Sequence, residues 1–234
     1  MSSAIAIITA RGGSKRIPKK NIRAFHGRPI ISYPIKAALA AKCFQEVIVS
    51  TDSEEIAEIA RAQGAKVPFL RSEEASNDKA TSAMVMREII ARDQAENRSF
   101  DFYCMIYPTA VFLTPEKLTK GYDLLSSRAG YDTAFTVVRH GHPIQRAFHI
   151  KDEMITPMWP ENAFVHSQNL EPTYHDAAQF YWLKAKPFME SGRIFAERSA
   201  PIVLLESEAQ DIDNEEDWKI AELKFELWRK AQQQ

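Results

Sequence analysis

Cysteine is scarce in this chain: Cys43 and Cys104 are the only two among 234 residues. Neither has metal-type spacing, and both lie in or beside apolar stretches. That excludes a disulfide framework and leaves two structural thiols suited to a reducing compartment. No apolar run approaches bilayer-spanning length. The N-terminus lacks the basic, then apolar, then small-residue order of a signal peptide. A cytoplasmic protein with no membrane partner is therefore expected. Net charge is also lacking, at −1, which argues against a general nucleic-acid binder. No internal repeat occurs, and low complexity is confined to the glutamines at 232–234.

Two local absences say more. Residues 1–45 contain no acid but carry Arg11, Lys15, Arg16, Lys19, Lys20, Arg23 and Arg28. Residues 206–217 contain no Lys or Arg but carry Glu206, Glu208, Asp211, Asp213, Glu215, Glu216 and Asp217. A basic end and an acidic end could bracket a metal-bound phosphate, or could be two solvated faces.

What is present is 45% hydrophobic and 26% charged, an ordinary globular composition able to bury a core. The β-branched run at residues 4–9 reads as a buried strand, followed by a loop rich in Gly, Lys and Arg. Further strands are expected at 46–50, 66–70, 102–107, 133–138, 177–183 and 201–205. Helices are expected at 29–41, 81–95, from 114 onward and at 214–230. Pro34 sits awkwardly in the first turns of one of them. Thr51 and Glu54 have capping-box spacing, and Thr114-Pro115-Glu116 is a strong helix start. This alternation predicts an α/β fold: three layers around a mostly parallel sheet, in one domain spanning 1–234. Residues 139–175 break the rhythm with scattered prolines and aromatics. They read as an excursion of hairpins and loops, serving as a lid or subunit contact.

In such sheets ligands bind beyond the carboxyl ends of the strands, so the loops after residues 9, 50 and 107 should meet. The first loop reads Ala10-Arg11-Gly12-Gly13-Ser14-Lys15-Arg16-Ile17-Pro18-Lys19-Lys20-Asn21. Its glycines let backbone N–H groups approach phosphate oxygens. Arg11 can hold them bidentately, and Lys15 and Lys20 supply point charge. It has neither GxGxxG nor a P-loop pattern, which disfavours those two nucleotide-binding classes.

This loop resembles the signature of the cytidylyltransferases that activate nine-carbon acidic sugars, the CMP-sialic acid synthetase family. The resemblance implies a nucleotide-diphospho-sugar transferase-like fold. It also implies that Ala10, Arg11, Gly12, Gly13, Ser14, Lys15, Lys20 and Asn21 bind CTP and position the reaction. Arg71, which precedes Ser72, Glu73 and Asp78, and Ser82 match nucleotide contacts of the family. A bland surface loop competes with that reading. For Ser50-Thr51-Asp52, a helix cap is the expected role.

Tyr107-Pro108-Thr109-Ala110 stands where sialic-acid enzymes carry a Gln-Pro-Thr-Ser-Pro-like turn. An aromatic wall in place of Gln suits a more deoxygenated sugar. This turn, residues 143–147 and the run at 174–182 resemble the pseudaminic acid subfamily, with Ala178 where that subfamily usually has Gly. His175, Gln179 and Tyr181 are therefore expected at the sugar, alongside Tyr107, Pro108 and Thr109. On a regular strand His175, Ala177 and Gln179 share one face and Asp176 the other. A buried His and a sheet-edge Gln is the plain alternative.

Asp211 and Asp213 are spaced to present both carboxylates on one side of an extended segment. They are hard oxygen ligands suited to Mg²⁺, although Asp213 could also cap the following helix. By resemblance, Arg11, Lys20 and Asp211 carry catalysis. The implied reaction is attack by the sugar's anomeric hydroxyl on the α-phosphorus of CTP, with pyrophosphate leaving. A homodimer is implied, with Arg146 and Gln168 of the excursion reaching the neighbour's sugar site. Sialic or legionaminic acid as substrate, or a non-catalytic CTP sensor, are the readings left open.

Overall fold

The computed structural model describes residues 2–77, 79–127 and 130–232, so Asp78 and the last two glutamines of the tail lie outside it. In chain order the elements begin with β1 (Ala4–Thr9), a two-strand ribbon of β2 (Ala24–Phe25) and β3 (Arg28–Pro29), and α1 (Ser32–Ala40). Next come β4 (Glu46–Ser50), α2 (Glu54–Ala62), α3 (Ser82–Ala95), β5 (Phe102–Ile106), α4 (Pro115–Ser126) and β6 (Thr133–Arg139). The hairpin β7 (Phe148–Lys151) and β8 (Met154–Pro157) precedes β9 (Tyr174–Lys184), α5 (Ala185–Ser191), β10 (Ser199–Leu204) and α6 (Glu215–Ala231).

The central sheet has the order β10-β6-β9-β5-β1-β4. All its pairings are parallel except those of β9, which runs antiparallel between β5 and β6. Side-chain alternation along β1 builds both faces. Ala4, Ala6 and Ile8 pack under α1, α2 and α4, while Ile5 and Ile7 pack under α3 and α5. This gives the three layers expected, and each fully buried Ile contributes roughly 1.5–3 kcal/mol. A third cluster seats α6, through Trp218, Ala221 and Phe225, on Ile17, Phe25, Ile30 and Phe112. The closing helix is thus packed against the segment that follows the first loop. Among the described residues no helix is long and apolar enough to cross a membrane.

Several boundaries move for identifiable reasons. The helix expected from 29 begins at Ser32, because Arg28 and Pro29 pair with Phe25 and Ala24. Pro34 is then the third helical residue, where its missing N–H is no loss. The strand expected at 66–70 is reduced to isolated bridges, Ile48 to Lys66 and Thr51 to Leu70. Pro68 between them has no N–H to give a ladder. The cap of α2 is Ser53, whose Oγ accepts from Ile56 N at 3.5 Å, and not Thr51.

β9 is the least regular strand. Phe135 pairs with Tyr181 but Val137 pairs with Asp176, so two steps along β6 match five along β9. The surplus is absorbed at Ala178, which lies in the left-handed region at φ 50°. The alternation expected for residues 175–179 therefore does not hold. Residues 139–175 form the exposed β7–β8 hairpin and three single turns of 3-10 helix.

Candidate active site

The parallel strands end in one row. Ala10 N donates to Ser50 O at 2.9 Å, and Tyr107 N donates to Gln179 O at 2.9 Å. The loops that follow surround a cavity of about 420 Å³. It is lined by ten of the residues singled out in the sequence: Arg11, Lys20, Asn21, Arg71, Ser82, Tyr107, Pro108, Thr109, Asp211 and Asp213. Ala10, Gly12, Gly13, Ser14, Lys15, His175, Gln179 and Tyr181 are not part of that lining.

The first loop is tied down at three points. Gly12 N donates to Asp52 Oδ1 at 2.7 Å. A Cβ at Gly12 would come within 3.1 Å of the Ser53 Cβ, so the backbone lies directly on the start of α2. Asn21 is buried, and its Nδ2 donates to Arg11 O at 2.8 Å. Lys19, at φ 53°, turns the chain so that Lys20 points inward. Asp52, expected as part of a cap, instead anchors the glycine loop.

The basic and acidic ends do meet. Lys20 Nζ donates to Ile212 O at 2.5 Å and lies 3.5 Å from Asp213 Oδ1. Arg16 Nη2 is 2.9 Å from the same oxygen. Asp213 is thus balanced by two cations. Asp211 is not: partial desolvation in the cleft, though much of its surface stays open to solvent, then the nearby Asp213 and Asp176, push its carboxyl above the usual range, against the pull of Lys20. A carboxylate crowded by like charges favours an added cation. Mg²⁺ typically takes one or two carboxylates and fills its shell with water and phosphate oxygens. The pair fits that donor set, with Asp211 the readier ligand. Among the described residues no cluster of three or more His, Cys, Asp or Glu forms a ready-made cage.

Arg71 braces the opposite wall. Its guanidinium donates to Ser50 Oγ at 3.1 Å, Ser50 O at 2.5 Å and Ala75 O at 3.3 Å. Burial lowers its pKa, and Asp52 and Glu88 partly restore it. Ser82, just inside α3, has its Oγ 3.5 Å from Tyr107 Oη.

Behind Tyr107 stands Tyr181, with ring centroids 5.5 Å apart, and Phe135 and Phe195 flank Tyr181. Burial, Tyr107 and Asp176 all push the Tyr181 phenol up, so it stays protonated. It donates to Asp176 Oδ2, while Ala178 N donates to Asp176 Oδ1 at 3.1 Å. Asp176 is the residue that sequence reasoning missed. Period-two counting puts it on the face opposite Gln179 and cannot register the Ala178 bulge that breaks the alternation between them. The only signal was the Ala itself, where the resembling subfamily has Gly.

The other residues expected at the sugar lie elsewhere. His175 is exposed, its Nδ1 2.8 Å from Asp176 O and its ring beside that of His140. Gln179 is 1% exposed and turns its amide away from the cavity, onto Glu208 O at 2.6 Å. Arg146 and Gln168 lie in the excursion, and Gln168 borders a separate groove with Glu171 and Glu206.

A twisted α/β sheet with a polycationic glycine loop facing an acidic loop across one cleft defines a nucleotide-binding transferase architecture. The solved CMP:2-keto-3-deoxy-manno-octonic acid synthetase complexed with CTP shares this fold at TM-score 0.70 and 14% identity, over 97% of this chain and 99% of that one. Residues 5–208 match the cytidylyltransferase family, and the chain belongs to it. A pseudaminic acid cytidylyltransferase of Campylobacter jejuni is 38% identical over 95% of this chain and 96% of its own. A CMP-N,N'-diacetyllegionaminic acid synthase of Legionella pneumophila is 30% identical over 97% and 98%.

Proposed function

We propose that this chain transfers CMP from CTP to the anomeric hydroxyl of a nine-carbon acidic sugar, pseudaminic acid, and releases pyrophosphate. The observation that carries this reading is the single cleft that gathers Arg11, Lys20, Arg71, Tyr107 and Asp211. The Campylobacter jejuni relative supports the choice of sugar by its name and near full-length match.

The glycine loop and Arg11, with Lys15 and Ser14, hold the triphosphate. Lys20, fixed against Ile212 O, sets its charge beside the reacting phosphorus. Such a reaction depends on positioning and charge neutralisation more than on covalent help. Asp211, with Asp213, would hold Mg²⁺, which would supply charge neutralisation at the phosphates. Arg71 and Ser82 hold the nucleotide side. Tyr107, Pro108 and Thr109, backed by Tyr181, form the wall for the sugar. Their apolar surface suits a deoxygenated ring better than a hydroxyl-rich one.

The enzyme works as a cytoplasmic homodimer. The exposed apolar side chains of the excursion, Ile150 at 78% and Phe164 at 98%, support a covered surface there. Arg146 and Gln168 reach the partner's sugar site.

One experiment tests the core of this reading. CTP and Mg²⁺ are incubated with pseudaminic, legionaminic and sialic acids, and CMP-sugar is detected by mass. CMP-pseudaminic acid should form fastest. Product from sialic acid alone overturns the choice of sugar, and no product from any of the three overturns the reaction.

A further inference from the structure

Two side chains outside the cavity, one buried and one half-buried, link the segments that carry two parts of its lining. The first is Gln179. Its backbone oxygen accepts from Tyr107 N at 2.9 Å, which fixes the start of the 107–109 turn. Its side-chain Nε2 donates to Glu208 O at 2.6 Å, three residues before Asp211. A carbonyl can only accept, so the amide must present its NH₂ group there. The second is Lys117, in the first turn of α4. Its Nζ donates to Phe112 O at 3.2 Å, in the segment continuing from the same turn. It also pairs with Glu208 Oε1 at 3.2 Å. These two side chains are only 15% and 22% exposed, so the pair is held with little competition from water.

Glu208 is thus gripped by its carbonyl and its carboxylate together. Its other oxygen accepts from Leu205 N at 3.4 Å. Next along the chain, Ala209 is buried and its carbonyl accepts from Lys224 Nζ at 3.0 Å. By contrast, the Asp211 carboxylate is exposed and crowded by like charges. The rigid piece and the metal-facing piece of this loop are therefore adjacent, three residues apart.

We propose that Gln179 and Lys117 are positioning residues. By clamping Glu208 to the strand and turn that carry Tyr107–Thr109, they set the distance between the sugar wall and Asp211. This rests on the reading of Asp211 as a Mg²⁺ ligand, and it replaces the expectation that Gln179 touches the sugar. Supporting partners of metal ligands commonly govern metal affinity by about 10–100-fold.

The test is calorimetric titration of CTP with and without Mg²⁺, followed by kcat and KM for the sugar. The variants are Gln179→Ala, Gln179→Glu and Lys117→Met. In the first two, CTP binding without Mg²⁺ stays within about twofold of wild type. The strengthening of CTP binding by Mg²⁺ falls about 10-fold, and kcat falls similarly with little change in sugar KM. Lys117→Met leaves the half-buried Glu208 carboxylate without its cation and can fail to fold. The Lys117→Met/Glu208→Gln double variant removes both charges and should show the same loss, and Lys117→Arg should recover part of it. A folded Gln179 variant with higher sugar KM and an unchanged Mg²⁺ response makes Gln179 a sugar ligand and overturns the proposal. A folded double variant with a wild-type response overturns it for Lys117. If wild type itself shows no Mg²⁺-dependent CTP binding, the assignment of Asp211 fails first.

Discussion

Gly121 sits in the middle of α4, where helix propensity alone favours Ala by about 1 kcal/mol. The packing argues the other way. A Cβ built on Gly121 falls inside the indole of Trp182, against Cδ1 and Nε1. That indole has no room to retreat. Trp182 is fully buried, stacked on Phe44 at 5.0 Å and flanked by Tyr122 at 5.8 Å. Its Nε1 donates to Leu118 O at 3.1 Å, so tilting the ring strands a buried donor. Overpacking costs about 1–3 kcal/mol and the stranded donor about 1–3 more. Set against the propensity gain, Gly121→Ala should destabilise by about 3 kcal/mol. For a chain of this size that lowers Tm by roughly 6–12 °C. Urea and thermal melts of the two proteins, at equal m-value, measure it. An Ala variant as stable as wild type would refute the claimed contact between α4 and β9.

Asp211→Asn should cut turnover by about 10²–10³-fold with no loss of Tm at neutral pH. The sign follows from the raised carboxyl. Its ionised form is disfavoured in the fold, so the native protein is penalised above the folded pKa. It is not penalised below the unfolded value near about 3.9. Solvent exposure keeps that penalty under about 1 kcal/mol, and a Tm drop beyond a few degrees would contradict it. Ala178→Val places a β-branched residue at φ 50° and should cost more than about 2 kcal/mol, read by urea melts. Tyr181→Phe leaves Asp176 without its phenol donor. It should raise sugar KM several-fold with CTP KM unchanged, and an equal change in both would count against the aromatic wall. Replacing residues 148–157 by a short Gly-Ser linker should yield a monomer in analytical ultracentrifugation with little turnover. A fully active monomer would sink the dimer.

Much of this was legible because it depends on local chemistry. The β-branched run of β1, the glycine loop and the Thr114 cap each announce themselves within a dozen residues. The charge asymmetry left open either a bracket around a phosphate or two solvated faces, and the Lys20–Asp213 contact puts the two ends side by side. What failed depends on distant register. Thr51 and Ser53 both qualify as caps, and only the path of the glycine loop, drawing Asp52 onto Gly12, decides between them. The shared face expected for His175, Ala177 and Gln179 failed for one reason. A strand inserted between two others must match both registers, and the mismatch is taken up at Ala178, which no count along a single strand reveals. α5 went unnoticed, being only seven residues long with Pro187 in its first turn.

β9 runs against its neighbours, and that direction has a mechanical consequence. β1, β5 and β10 lead into segments that line the cleft as they leave the sheet, whereas β9 enters from the opposite direction, past Asp176 to the Tyr181 ring that backs Tyr107. What precedes β9 is the excursion, so the chain passes from that exposed hairpin region into Asp176 and Tyr181 with no intervening layer. If Tyr107, backed by Tyr181, forms the proposed sugar wall, a load applied to the excursion by another protein surface should reach that wall along β9 before it reaches the loop after β1. Communication between two such sites should therefore change sugar selectivity while leaving nucleotide affinity alone.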